Sequence, residues 1–189
     1  MEGNQVSSVD LLGETKLKLL SGVYGSLNKG ASDAYGEGHN VFSLYDTTGE
    51  LSLPDCKRWG ADLLAKYKGL SVLIEYQISW AGIPARLYAD ENRQVAMRPG
   101  QISSFLSLGS GWNFQCGYFR KGWGIDLRQQ YIKPEFEVNN NYTSEIRSTS
   151  LCGSHHSKDG SFRIQLSHEL NRLALQNISR TELMLQMRF

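Results

Sequence analysis

The sequence predicts an all-β chain, an antiparallel up-and-down β-barrel of about eight strands whose outer face meets a membrane. Three observations predict it. Segment after segment alternates with period two, one parity of those segments excludes charge, and aromatic residues gather at the segment ends.

Each clear segment has two unlike parities, as a strand with two unlike faces requires. Trp59–Lys68 sets Trp59, Ala61, Leu63, Ala65 and Tyr67 against Gly60, Asp62, Leu64, Lys66 and Lys68. Leu70–Trp80 sets Leu70, Val72, Ile74, Tyr76, Ile78 and Trp80 against Ser71, Leu73, Glu75, Gln77 and Ser79. Trp112–Phe119 repeats the pattern with Trp112, Phe114, Cys116 and Tyr118 on one side. Trp123–Tyr131 opposes Trp123, Ile125, Leu127 and Tyr131 to Gly124, Asp126, Arg128 and Gln130. Phe162–Leu170 opposes Phe162, Ile164, Leu166 and Leu170 to Arg163, Gln165, Ser167 and Glu169. Leu183–Phe189 closes the series with Leu183, Leu185, Met187 and Phe189 on the apolar side. Two weaker strands are expected at Lys16–Leu27 and Tyr142–Cys152. In the second, Ile146 marks an apolar parity that also carries Ser144, Ser148 and Ser150.

Charge separates the two faces. The six clear segments hold 29 positions of apolar parity, and none is Asp, Glu, Lys or Arg. A chain that is 21% charged would place about six charges there by chance. The 25 positions of the other parity hold nine. Helical spacing also fits Trp59, Leu63 and Tyr67, and Leu166, Leu170 and Leu173; both stretches are read as strands because strands flank them.

The joins alternate in length. Gly69, Arg120–Gly122 and the HHSKDG turn are short, whereas Asn28–Arg58, Ala81–Gly111, Lys133–Asn141 and Asn171–Glu182 are long. Short turns at one end and long loops at the other suit a barrel between two compartments. On that threading Trp59, Trp80, Trp112 and Tyr131 fall at the long-loop end, and Tyr67, Tyr118, Trp123, Phe162 and Phe189 at the short-turn end. Two belts one strand apart match the girdles of a membrane barrel. In a sandwich these rings would fill the middle of the core.

Composition removes other classes. Lys plus Arg is 20 and Asp plus Glu is 19, so nothing attracts a nucleic acid or a polybasic membrane contact. No apolar run reaches the length of a transmembrane helix. The cysteines, Cys56, Cys116 and Cys152, form no CxxC or CxxH pair and carry no assigned role; Cys116 and Cys152 are expected to face outward as small apolar residues. Residues 1–15 lack a basic start and an apolar h-region, so no signal peptide is expected within the chain, and they are read as a flexible or truncated start to a single domain spanning 1–189.

Candidate chemistry is sparse. His155 and His156 share a turn with Asp159, too few ligands for a metal centre, and the turn is read as solvated. Ser148 or Ser150 with His168 imitates a nucleophile and base without supporting spacing. Gly36-Glu37-Gly38 is too short for a phosphate loop. No catalytic residue, metal or cofactor is expected. Scattered carboxylates and bases on the polar parity read as a wet lumen, lined by Asp62, Lys66, Lys68, Glu75, Asp126, Arg128, Arg163, Glu169 and Arg188.

The phrases WGADLLAKYKGLSVLIEY, GWNFQCGYF, WGIDLRQQY, NNYTSEI, FRIQLSHEL and TELMLQMRF resemble the C-terminal half of the phosphate-selective porins of the O and P type, over residues 59–189. The resemblance implies an outer-membrane β-barrel of a Gram-negative bacterium, with this chain as the last part of about sixteen strands. It implies passive diffusion of small hydrophilic solutes or ions, anions such as phosphate among them, through a homotrimeric channel. Its partners would be outer-membrane lipid and the barrel-assembly machinery, which would read Leu183, Leu185, Met187 and Phe189. The lumen positions mix signs, so weak ion selectivity is expected. Two other readings stand beside it: a structural barrel filled by its own side chains, and a soluble all-β binding protein with the apolar face as its core.

Overall fold

The computed structural model describes residues 10, 13–31, 43–83, 86–136, 145–157, 161–173 and 176–187. Eight long strands form one antiparallel sheet: β1 (Lys18–Asn28), β2 (Cys56–Tyr67), β3 (Leu70–Ala81), β6 (Gly109–Arg120), β7 (Trp123–Pro134), β8 (Ile146–His156), β9 (Phe162–Leu173) and β10 (Asn177–Met187). Spatial order is the same as chain order, so the sheet is a meander. A two-stranded sheet, β4 (Leu87–Tyr88) with β5 (Ala96–Met97), and helix α1 (Pro99–Leu106) lie in the connection between β3 and β6. No helix among the described residues is long and apolar enough to cross a membrane, which says nothing of strands.

Alternating side chains built these strands, and tight turns set their register. Lys68 and Gly69 (φ 49° and 89°), and Lys121 and Gly122 (φ 50° and 84°), have left-handed backbone at both turn positions. That is the twist a two-residue hairpin needs. At Gly69 a Cβ would lie 2.2 Å from the Phe119 carbonyl oxygen, and the Phe119 N–H donates to the Gly69 carbonyl. The turn is also clasped from outside: buried Asp10 accepts the Gly69 N–H at 2.7 Å, and Lys68 N–H donates to the Glu14 carbonyl. Residues 10 and 14 of the expected flexible start are therefore tied to the β2–β3 turn.

The register drifts in one direction. The pairing row that begins at Lys18, the first residue of β1, runs through Lys66, Ser71, Gly117, Asp126, Cys152 and Ser167 to Glu182. From Glu182, β10 continues five residues further, to Met187 (187 − 182 = 5). Such stagger is what tilts the strands of a barrel wall. β1 and β10 each pair with one neighbour only, so the described sheet is open, and closure into a barrel is not part of it.

Three expectations need correction. The join Asn171–Glu182 is not long: β9 runs to Leu173, β10 starts at Asn177, and Leu173 and Gln176 bond to each other through both backbone groups. Hence three of the four loop-end joins are long. The strand at Tyr142–Cys152 begins at Ile146, and its parity is reversed: Ser148, Ser150 and Cys152 pair with Gln130, Arg128 and Asp126. Cys152 therefore shares the polar face, and only Cys116, opposite Leu127, lies on the apolar one. Arg58, expected in a loop, is inside β2.

The compact apolar core lies in the long loops. Ala31, Leu44, Cys56, Leu87, Ile102, Leu106 and Leu108 pack together, flanked by Leu53, Ala81, Ile83 and Met97. Two exposed turns at that end are closed by carboxylates. Asp46 is held below the usual carboxylate range by the Thr48 hydroxyl and N–H, and Asp90 by the Gln94 and Val95 N–H groups.

Gly69→Ala should destabilise the chain by about 1–3 kcal/mol, because both the φ and the Phe119 carbonyl exclude a Cβ. Gly82→Ala, where nothing lies within 4 Å, should change stability little. Denaturant unfolding followed by Trp fluorescence compares the two.

Candidate functional site: the sheltered polar face

The two faces of the sheet are exposed in the reverse of the usual sense. Every buried residue on the eight strands is on the polar parity: Cys56, Gly60, Leu64, Ser71, Ser79, Asn113, Gly117 and Ser148. The apolar parity is the exposed one, with Leu63, Ile74, Leu127, Leu151, Leu166, Leu170 and Leu183 open. A soluble sheet buries its apolar face; this one shelters the polar face instead.

Pairing brings the expected site residues onto that sheltered face in rows. Asp62 and Glu75 stand directly opposite each other, and the same row continues through Asn113, Gln130, Ser148 and Asn171. The next row toward the short turns carries Arg128 and Glu169, and the one after it Lys66 and Asp126. Arg163 lies beyond them, opposite His156. Lys68 does not join them: it sits in the turn, with its ammonium over the Tyr67 ring, 4.9 Å from the centroid. Arg188 lies outside the described residues.

Neutral side chains bond several of these charges. Asn113 donates to Glu75 Oε2 at 2.6 Å and accepts from Arg128 Nε at 3.0 Å, so one buried amide orients a carboxylate and a guanidinium. Gln115 donates to both oxygens of Asp126, and the Ser148 hydroxyl donates to Glu169. Arg163 donates to Gln165. The face is thus a network of charged and neutral polar side chains joined across neighbouring strands.

Four charged residues of this face were not among those expected: Lys18, Arg58, Arg180 and Glu182. Arg180 and Glu182 form an ion pair. Their strands begin or end in stretches without clear alternation, so the periodicity had no vote there. α1 leans over the loop end of the same face, where Arg58 donates to the Leu106 carbonyl and Ser103 donates to Glu135. Between α1 and the sheet is a cleft of about 530 Å³.

The exposed face has its own order. Tyr76, Trp112 and Tyr131 form one row, with Trp59 5.7 Å from Tyr76 between ring centroids. Tyr67 and Tyr118 share a row at the other end with Leu70, and Trp123 lies one row beyond. The rows between hold no Asp, Glu, Lys or Arg among the described residues. Charges return only at the ends: Lys57, Lys133, Arg147 and Arg172 at the loop end and Arg120 at the turn end. Arg147 stacks over Tyr131, 5.4 Å from its centroid, and pairs with Glu145.

Other candidates separate. Ser148 and Ser150 lie on the sheltered face and His168 on the exposed one, so no nucleophile–base contact joins them. His168 is exposed, and its Nδ1 lies 2.8 Å from the Thr181 hydroxyl opposite it. His155 and His156 are strand neighbours on opposite faces, against Trp123 and Phe119 respectively. Asp159 and Gly36–Gly38 lie outside the described residues. Among the described residues no three His, Cys, Asp or Glu gather as a metal site would require. Of the expected assembly signal, Leu183, Leu185 and Met187 are exposed on the apolar face, and Phe189 lies outside the described residues.

No family model, no curated protein and no solved structure matches the chain.

Asn113→Ala should cost about 1–3 kcal/mol in denaturant unfolding, since it strips Glu75 and Arg128 of their shared partner. Gln129→Ala, one row away on the exposed face, should lie within about 0.5 kcal/mol of wild type.

Proposed function

We propose that this chain forms the wall of an outer-membrane β-barrel that passes small hydrophilic solutes or ions by diffusion. The observation that carries the reading is the inverted exposure: Asn113, Ser148 and Ser71 are sheltered while Leu63, Ile74 and Leu127 are open. Hydrocarbon is the surrounding that makes such a surface stable. Strands of 11 or 12 residues suit the tilted span of a membrane strand. The aromatic rows and the rim of Lys and Arg fit the two interfaces, where long basic side chains reach for headgroups.

On this reading the sheltered face lines the water path. Its fixed charges bias ion flow, and their mixed signs give weak selectivity. The resemblance of several phrases to the phosphate-selective porins points to the same class; a dense basic ladder, which phosphate preference would want, is lacking among the described residues. Homotrimer formation and recognition of the last strand by assembly machinery belong to that resemblance. The soluble-binding reading loses ground because its core face is the exposed one.

Four measurements test the reading. The protein should partition with membranes and need detergent for extraction, and in a planar bilayer it should conduct. Substituting Arg128 and Arg163 by Glu should shift the reversal potential under a salt gradient toward cations. Leu127→Arg should instead reduce folding into lipid, by about 2–4 kcal/mol near the midplane. Extraction in plain buffer, or an unchanged reversal potential in a folded, conducting double variant, would count against the wall assignment.

A further inference from the structure

We propose that the cleft beneath α1 binds a neutral polyhydroxylated solute, a glycosyl unit or a polyol, with the ring of Tyr24 as its platform. This names a solute class for the channel proposed above and rests on that reading for its purpose. The binding itself is measurable without conduction.

Tyr24 is held flat against the sheet. A Cβ on Gly60 would lie 2.5 Å from the Tyr24 Cζ and Oη and 2.7 Å from its Cε1, so the ring lies across bare backbone that any other residue would occupy. Its hydroxyl donates to Gln77 Oε1 at 3.0 Å, which fixes the ring in its plane. One ring face is thus covered, yet Tyr24 is 50% exposed and lines the cleft. An immobilised aromatic face beside polar groups is what the C–H face of a sugar ring packs on.

The polar lining is of both kinds. Asp62 and Gln130 have no hydrogen-bond partner among the described residues; Glu75 Oε1 and the Gln77 amide nitrogen have none either. Asp62 and Glu75 offer acceptors, Gln77 offers donors, and Gln130 offers both. A metal cation would use the acceptors alone and a phosphate the donors alone. Vicinal hydroxyls, each donor and acceptor at once, use the whole set. Two carboxylates side by side also repel a phosphate. Lys133, the one basic residue among the described residues of the lining, has its register position on the exposed face. The volume, about 530 Å³, falls within the range of small-molecule sites.

The test is isothermal titration of the full chain in detergent micelles, with maltotriose as the probe and inorganic phosphate as the alternative. Maltotriose should bind saturably and phosphate should not displace it. Tyr24→Phe keeps the ring and should bind within about twofold of wild type, whereas Tyr24→Leu should weaken binding about threefold to tenfold. Gly60→Val should weaken it as well by lifting the ring; if that variant fails to fold, the Tyr24 pair still decides, each first checked for native β circular dichroism. Binding of phosphate but not maltotriose, no binding of either, or equal affinity in Tyr24→Leu and wild type overturns the site and leaves the channel standing. A chain that binds maltotriose but never conducts overturns the channel and leaves the site.

Discussion

A strand that pairs along its whole length fixes the face of every side chain it carries, and seven such pairings in series transmit that assignment from β1 to β10. A slip of one residue in β2 would carry Leu63 to the Asp62 side, and one in β7 would carry Arg128 to the Leu127 side. The left-handed turns at Lys68–Gly69 and Lys121–Gly122 guard against that slip, and Asp10 clasps the first of them. Kept in register, the strands make a sheet with one exposed side whose middle rows are free of charge and one hydrogen-bonded polar side. The row of Asn113, the cleft under α1 and the aromatic rows all depend on this single two-residue period.

Where large side chains alternate, the fold was legible in the sequence. β2, β3, β6, β7 and β9 lie close to their expected spans, with the expected residues on each face. The reversed parity of β8 has a physical cause. Its exposed-face residues are Arg147, Thr149, Leu151, Gly153 and His155, of which Leu151 alone is a large aliphatic, while its sheltered ones are mostly serine and cysteine. Neither parity is apolar enough to vote, and Ile146, at the strand end, voted for the wrong face. Pairing with β7 settles it through Ser148 opposite Gln130. The same weakness hid the start of β10, where Asn177, Ser179 and Thr181 occupy positions on the exposed face and Ile178 one on the sheltered face.

The polar wall was legible as a set of charges but not as a site. Asp62, Glu75, Arg128 and Glu169 could be assigned to one face by counting. That Asn113 would stand between Glu75 and Arg128 depends on three strands meeting in register. Tyr24 and Gly60 are 36 positions apart (60 − 24 = 36), and neither is notable alone. Only the β1–β2 register sets the ring over the one residue without a side chain to displace it. α1 was invisible for another reason: Ile102 and Leu106 face a small core made with the β1–β2 loop, a partner that no local period announces.

If the chain is the barrel wall proposed above, its sheet edges bear on how wide that wall must be. β1 and β10 are exposed on almost every residue, whereas the sheltered residues of β2, β3 and β6 are where burial concentrates. In hydrocarbon each unpaired N–H or C=O costs several kcal/mol, so neither edge can meet lipid as it stands. β1 could pair with β10, or both could pair with further strands. Eight strands closed on themselves leave an interior just wide enough for side chains to fill. The sheltered face already carries Arg128, Arg163, Lys66, Asp126 and Glu169 together with α1 across its loop end. An interior that narrow would have to hold α1 and the charged rows as well as the cleft of about 530 Å³. A wider ring keeps both the cleft and the drift in register, since the stagger adds strand by strand as the wall is extended. On the channel reading, pairing with further strands is the arrangement that leaves the polar face as it is built.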